Sequence, residues 1–304
     1  MEIAGSLSGI LFPVPVVVGI VAIAVFVSAV IAVLFAVALF IFLTATVKDK
    51  KMDDFKYVKY AHRGLHGDFC GSYSAENSLS AFRKAVELGF GIELDVRCSK
   101  DGEVVVFHDD TLTRVTGKEG RVADFTAAEL AGFSLRGTED GIPTFKSVLE
   151  CVGGRVPLLV EIKSDSTDQV VVSAVYELLK DYDGPFIVES FNPLSLSALK
   201  KLDKSIPRGF LCTRLTKQKD HRSLKYRAIQ RHLFNFLARP SFIAANKNEH
   251  KMLPIPIIRS LFRPAFIAWT IKSPEEEAVA YKNGFDGVIF EQYIPEQTRR
   301  EVKE

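Results

Sequence analysis

Cysteine and tryptophan are scarce in this chain of 304 residues, which has four of the first and one of the second. Cys70, Cys98, Cys151 and Cys212 show no close-paired metal spacing, and a reducing compartment requires no pairing among them. Excess charge of one sign is also missing. Lys plus Arg number 39 against 37 Asp plus Glu, too mild a balance to argue for a nucleic-acid partner. No G-x-G-x-x-G or P-loop follows an early strand candidate, no internal repeat is present, and no low-complexity linker divides the chain. Hydrophobic residues at 47% and charged residues at 25% match average globular composition, which excludes disorder, collagen and coiled coil. The anomaly is a mean hydropathy of +0.12. It is positive despite ordinary charge content, so the apolar residues must be unevenly spread.

The unevenness is itself an absence. From Ile10 to Val47 there is no Asp, Glu, Lys or Arg, and Val16 to Leu43 is almost wholly Val, Ile, Ala, Leu and Phe. As a helix those residues would span about 42 Å at about 1.5 Å each, more than the hydrocarbon core of about 30 Å, so a tilt is expected. Pro13 and Pro15 precede the run, where proline suits a helix entrance. A cleaved signal peptide would need a basic start and an apolar core of about 7–15 residues. Here only Glu2 is charged ahead of a much longer run. The reading is a retained single-pass helix over about residues 16–43, within an N-terminal segment 1–47 whose partner is the lipid bilayer. Lys48, Lys50, Lys51, Lys56 and Lys59 lie on the outgoing side only, so the positive-inside rule puts the C-terminal bulk in the cytoplasm. Residues 48–56 then read as a basic juxtamembrane linker and residues 57–304 as one folded domain.

That domain alternates short apolar runs with amphipathic segments. Strand candidates are Tyr57–Ala61, Gly91–Arg97, Leu158–Ile162, Phe186–Glu189, Gly209–Cys212, Phe242–Ala245, Phe266–Thr270 and Gly287–Phe290, several of them apolar throughout, as strands buried on both faces are. Helical patterns with recognisable ends lie between them: Ser78–Leu88 stopping at Gly89, Val170–Lys180, Pro193–Leu202, and Pro274–Lys282 with Ser273 as its cap. Eight such units over roughly 250 residues predict an α/β fold, a (β/α)8 TIM barrel, with a doubly wound open sheet as the alternative. Asp101-Gly102 between alternating runs predicts a β-hairpin continuing the second strand, followed by a small insertion from Asp109 to about Asp140.

The chemistry-bearing residues sit at strand ends. Alternation puts Glu93 and Asp95 on one face of Gly91–Val96, pointing into the barrel, while Ile92, Leu94 and Val96 face the helices. Two inward carboxylates repel and lose hydration unless a cation neutralises them. Glu161 and Lys163 share a face in the same way. Three converging carboxylates make a hard-cation site for one divalent cation, Ca2+ or Mg2+. His62, beside Arg63 and Gly64, follows the first strand, and His108 ends the hairpin strand. Barrel active sites are built at strand ends, and histidine is the usual acid/base group near neutral pH.

These residues carry a resemblance. His62-Arg63-Gly64, Glu76-Asn77-Ser78 with Ala81-Phe82, Gly89, Glu93-Leu94-Asp95-Val96, Lys100-Asp101-Gly102 and Val105-Val106-Phe107-His108-Asp109 are similar in order and spacing to the glycerophosphodiester phosphodiesterase family. The likeness continues through Ile142-Pro143-Thr144-Phe145, Glu161-Ile162-Lys163, Ser190-Phe191-Asn192, Trp269-Thr270 and Gly284-Phe285-Asp286-Gly287-Val288, so it spans the domain. It implies a TIM barrel with a small insertion and metal-dependent hydrolysis of a glycerophosphodiester to an alcohol and glycerol 3-phosphate. By motif position Glu93, Asp95 and Glu161 would be metal ligands, His62 and His108 the acid/base pair, and Arg63 and Lys163 the phosphate contacts. Glu76 and Asn77 would form the surrounding shell, with Asn77 or Ser78 equally able to cap the next helix. The nucleophile the resemblance implies is the glycerol 2-hydroxyl, through a cyclic phosphate that water then opens.

Three features stand apart. The family's usual Thr-Asp pair at the last strand is replaced by Phe290-Glu291, which leaves specificity open. Trp269 is placed either to stack on a glycerol or headgroup or to pack in the core. The segment Arg214–Arg263 is locally basic, with Lys217, Lys219, Arg222, Lys225, Arg227, Arg231 and Arg239 against Asp220 as the sole acid before Glu249. A helix from about Arg222 to Leu237 would gather Leu224, Ile229, Leu233, Phe236 and Leu237 on one face, either as an ordinary barrel helix or as a second contact with anionic lipid. The functional readings are a phosphodiesterase for small glycerophosphodiesters, a lysophospholipase D acting on membrane lysophospholipids, and a membrane-tethered barrel that only binds.

Overall fold

The computed structural model describes residues 13–164, 169–215 and 223–296. The chain divides into two compact units, residues 1–43 and 44–304. The described part of the first is the helix α1 (Val14–Thr44), 31 residues without a charge. It is long and apolar enough to cross a membrane, and none of its most apolar stretch is buried, unlike a core helix. At about 1.5 Å per residue it extends roughly 46 Å.

Among the described residues the second unit holds eleven strands: β1 (Lys59–Ala61), β2 (Gly67–Phe69), β3 (Ser72–Ser74), β4 (Gly91–Cys98), β5 (Val104–Val106), β6 (Leu158–Ile162), β7 (Phe186–Ser190), β8 (Arg208–Cys212), β9 (Phe242–Asn246), β10 (Ala265–Ile271) and β11 (Gly287–Phe290). Its helices are α2 (Leu79–Glu87), α3 (Thr113–Thr116), α4 (Ala127–Ala131), α5 (Phe145–Val152), α6 (Val170–Leu179), α7 (Pro193–Leu202), α8 (Leu224–Gln230), α9 (Asn235–Ala238), α10 (Ile255–Phe262) and α11 (Pro274–Lys282). Eight strands pair in parallel in the order β1-β11-β10-β9-β8-β7-β6-β4, and β1 closes the ring by pairing β4, Ala61 opposite Ile92. The closed (β/α)8 barrel rules out the open-sheet alternative.

Alternation sorts the strands as expected. Ile92, Leu94 and Val96 of β4 and Leu158, Val160 and Ile162 of β6 pack outward against Phe82, Val148, Val172 and Val175 of the surrounding helices. Inside, Tyr60, Leu159, Ile187, Phe242, Ile267 and Ile289 fill the barrel near the strand starts. Here the sequence reading needs correction. Residues 48–56 are no linker. A 3-10 turn over Lys50–Phe55, capped by Asp49, buries Met52 and Phe55 against that interior cluster. The barrel unit therefore begins ahead of residue 57, and its lower end is closed by apolar side chains while its upper end stays polar.

The predicted hairpin is β4–β5, with Val96 opposite Val106 and Gly102 in the left-handed region the turn requires. The insertion after it carries α3, α4 and its own small core of Phe107, Leu112, Val115, Val122, Leu130 and Leu135. A second hairpin, β2–β3, was not anticipated. Its strands are too short for alternation to register, though Cys70 and Gly71 both take positive φ at the turn. The expected helix from Arg222 to Leu237 is two short helices, α8 and α9. His232 breaks it, with φ +57 and its ring fully buried 5.2 Å from that of Phe210. Leu224, assigned to the apolar face, is exposed instead. Lys217, Lys219, Asp220 and Arg222 lie outside the described residues.

Candidate active site

Three consecutive barrel strands each set a carboxylate at the same height. The ladder pairs Asp95 of β4 with Glu161 of β6, and Glu161 with Glu189 of β7. Glu93 lies one inward position below Asp95. On the next strand the row stops at Gly209, paired with Glu189, where the Phe242 ring occupies the space a side chain would take. Oxygens of Glu93, Glu161 and Glu189 all lie within 4.8 Å of one another.

Asp95 belongs to a neighbouring set. Lys163 Nζ is 3.0 Å from its Oδ1 and 2.6 Å from Glu161 Oε1. On Oδ2, Asn77 Nδ2 donates at 2.9 Å and Arg63 Nε lies 3.4 Å away. Of the three expected metal ligands, the structure thus groups Glu93 and Glu161 with Glu189, while Asp95 holds the two cations expected at the phosphate. Glu76 accepts from Arg63 Nη1 at 2.9 Å and from Arg114. Asn77 is not a helix cap. Ser78 caps α2, accepting from the Ala81 amide, and Asn77 takes positive φ so that its side chain reaches Asp95.

Electrostatics follow from burial. Burial, with Asp95 and Glu161 charged nearby, holds Glu93 well above the usual carboxylate range. Burial likewise pushes Glu161 up to about 6, and Glu189 well up, with the charges of Glu161 and Glu93 adding to it. Asp95 goes the other way: burial opposes its charge, but Lys163, His108 and Arg63 outweigh that. Glu189 is 1% exposed, and its Oε2 has no hydrogen-bond partner among the described residues. Four buried carboxylates facing two buried cations leave excess negative charge where dehydration is costly. An orphaned carboxylate oxygen and an all-oxygen donor set fit a hard divalent cation, which Glu93, Glu161 and Glu189 would hold, with Asp95 beside them.

Both expected histidines face the same cavity at the strand ends, together with Arg63, Lys163, Glu93, Glu161, Glu189 and Trp269. His62 stays on the ladder, its amide bonded to Phe290 O at 2.9 Å, and Arg63 turns into the left-handed region so that its amide donates to Glu93 Oε2 at 2.8 Å. His108 is carried in by the hairpin, where the Phe107 amide bonds Asp95 O at 2.9 Å. Each imidazole is backed by a carboxylate: His62 Nδ1 by Glu291 Oε2 and His108 Nδ1 by Asp109 Oδ1, both at 2.6 Å. Glu291 lies at about 2, chiefly through its bond to His62 and helped by Lys272. Asp109 also lies at about 2, burial being outweighed by Arg114 and His108. Ionised carboxylates only accept, so each Nδ1 carries a proton and each Nε2 is the atom that exchanges one. Burial lowers His108 to about 4, leaving it neutral near pH 7.

Trp269 has both of its expected roles available. It donates Nε1 to Ala244 O at 2.9 Å and meets Phe191 edge-on at 5.9 Å, yet it lines the cavity. Sequence reasoning missed Glu189, although it ends an apolar strand as Glu161 does. Glu291 was read as the loss of the Thr-Asp pair, whereas its carboxylate stands against His62. Asp109 was quoted within a motif, but neither it nor Arg114 was given a role.

The sequence model of the glycerophosphoryl diester phosphodiesterase family matches residues 62–293. A glycerophosphodiester phosphodiesterase of Caldanaerobacter subterraneus is 33% identical over 248 residues, covering 77% of this chain and 93% of that protein. A rat lysophospholipase D is 32% identical over 151 residues, 45% of this chain and 46% of the relative. The structure of an Oleispira antarctica phosphodiesterase in complex with the product sn-glycerol-3-phosphate is similar at a TM-score of 0.65 and 25% identity, over 78% of this chain and 94% of that one.

Proposed function

The chain belongs to the glycerophosphoryl diester phosphodiesterase family of phosphoric diester hydrolases, and from that premise we propose that its barrel mouth hydrolyses glycerophosphodiesters to an alcohol and glycerol 3-phosphate by histidine acid/base catalysis with one divalent cation. The observation that carries the reading is the convergence of both carboxylate-backed histidines, Arg63, Lys163 and the buried acid row on one cavity.

Arg63 and Lys163 face the cavity from opposite sides of Asp95 and offer fixed positive charge to a phosphodiester. When bound, the cation adds Lewis-acid neutralisation of the phosphoryl oxygens. His108, neutral near pH 7, is suited to take the proton of the attacking hydroxyl on Nε2. His62, its Nδ1 held by Glu291, is suited to protonate the leaving alcohol. Asp109 and Glu291 keep each ring in one tautomer, and Arg114 ties Asp109 to Glu76.

A second reading, lysophospholipase D activity on membrane lysophospholipids, is favoured by α1 and by relatives with that name. Product identification with glycerophosphocholine and lysophosphatidylcholine tests both. Faster release of choline from glycerophosphocholine is expected. The reverse order favours the second reading, and no hydrolysis of either contradicts both. The lysines at 48, 50, 51, 56 and 59 support a cytoplasmic barrel anchored by α1. Proteolysis of the barrel is then expected only after vesicles are opened, and digestion from outside an intact cell would contradict it.

A further inference from the structure

We propose that His62, His66 and Glu291 form a second metal site, suited to Zn2+, whose occupancy switches off the barrel by taking His62 out of proton transfer. The three side chains come from the seam where β1 meets β11. His62 and His66 flank the tight Arg63-Gly64-Leu65 turn, and Glu291 directly follows β11. Their ligand atoms all lie within 4.8 Å of one another. His62 Nδ1 is 2.6 Å and His66 Nε2 3.9 Å from the same oxygen, Glu291 Oε2. His66 Nε2 is inaccessible to solvent and has no hydrogen-bond partner among the described residues. Lys272 holds the other oxygen, Oε1, at 2.7 Å, which leaves Oε2 for the site.

The donor chemistry separates this cluster from the acid row. Glu93, Glu161 and Glu189 offer only carboxylate oxygens, the set of a hard cation. Two imidazoles and one carboxylate suit zinc, which takes such a trio and keeps a fourth position open. Ligand atoms about 2.0–2.1 Å from a tetrahedral zinc lie roughly 3.3 Å apart. The observed 2.6 and 3.9 Å bracket that separation, so rotamer adjustment rather than a backbone change would complete the site.

Binding has a defined consequence for His62. Zinc on Nδ1 displaces the proton now donated to Glu291, and the neutral ring then carries its proton on Nε2. A ring coordinated through one nitrogen cannot become imidazolium, and the single proton it keeps on Nε2 is that of a neutral imidazole, a far weaker acid. It therefore no longer protonates the leaving alcohol, and the acid/base cycle stops. This inhibitory half rests on the reading of His62 as an acid/base group, whereas the binding half does not.

The test uses the full chain in detergent, saturated with Ca2+ or Mg2+, with Zn2+ alone titrated against a chromophoric chelator and Co2+ alone followed by its visible absorption. Wild type is expected to bind one further Zn2+, to show tetrahedral Co2+ bands and to lose hydrolysis as Zn2+ is added. His66→Gln, with His66→Asn as a second variant, is expected to keep its hydrolysis rate without zinc. Zinc affinity and inhibition should both weaken by about tenfold or more, because losing a direct ligand costs at least as much as losing an outer-shell partner. Equal Zn2+ binding in wild type and both variants would overturn the proposal and leave His66 an ordinary side chain. Should the protein hydrolyse neither substrate, the binding and Co2+ measurements still decide the site, which separates its failure from that of the proposed activity.

Discussion

Replacing His108 or His62 by alanine is expected to lower kcat by about 10²–10⁴-fold, the usual worth of a positioned acid/base group. Neither change should unfold the barrel, since both rings lie at the polar strand ends above the apolar interior. The two losses should differ in their pH profiles. Burial lowers His108 to about 4 from an ordinary value near 6.5. A base must be unprotonated to act, so the wild-type acid limb of kcat/KM at saturating metal should fall near pH 4, well below 6.5. His108→Ala should abolish that limb along with most of the rate. Asp109→Asn should move it, because a neutral amide no longer fixes the Nδ1 proton. Near-wild-type turnover in either alanine variant, with native circular dichroism, would remove that residue from the chemistry.

Removing the cation is expected to abolish turnover, and Glu189→Gln to weaken cation affinity by about 10–100-fold. Chelation takes away the charge that offsets four buried carboxylates, and Arg63 and Lys163 stay committed to Asp95. Affinity should also depend on pH with a definite sign. Glu161 sits at about 6 because burial favours its protonated form. A cation needs the ionised forms of Glu161, Glu93 and Glu189, all three raised by burial, so affinity declines as pH falls and Glu161 alone sets a loss through about 6. At limiting metal, activity should therefore be lost on acidification well before the His108 limit near pH 4 and be recovered on adding metal until that limit is reached. Glu189→Gln carries a built-in control. Replacing a carboxyl buried beside Glu161 and Glu93 removes a like-charge neighbour and is expected to raise the melting temperature of the metal-free protein whether or not Glu189 binds metal. If it is a ligand, the further rise on adding Ca2+ or Mg2+ shrinks, as weaker binding dictates. An unchanged metal-induced rise would exclude Glu189 from the site.

Periodicity made the fold legible. The eight barrel strands, the hairpin after β4 and most helix ends follow from alternation, caps and stop residues. Short or tertiary-controlled features did not follow. The 3-10 turn at Lys50–Phe55 reads as a lysine-rich linker because only Met52 and Phe55 betray its buried side. The break at His232 arises because that ring is drawn into the core beside Phe210 and Cys212, an arrangement no helical pattern encodes.

The site divides along the same line. His62, His108, Glu93, Glu161, Arg63 and Lys163 stand out in the sequence because they sit at strand ends in recognisable motifs, and all six line one cavity. Glu189 was hidden by its neighbours, since one acid ending an apolar run has no i, i+2 partner to mark it. Its place in the acid row emerges only when the ladder sets it beside Glu161. Glu291 depends on barrel closure, 229 residues from His62 in sequence and 2.6 Å from it in space. The motif that includes Asp95 marks it as a ligand, and the fold adds what the motif does not show, that Lys163, Arg63 and Asn77 contact it.

Phosphorus NMR of the products formed from glycerophosphocholine by the full chain in detergent, with Ca2+ or Mg2+ and then with excess chelator, decides whether this barrel is a metal-dependent glycerophosphodiesterase. Glycerol 3-phosphate and choline should form with metal, stop on chelation and resume when metal returns. Hydrolysis that survives complete chelation, or phosphocholine and glycerol as the products, would contradict it.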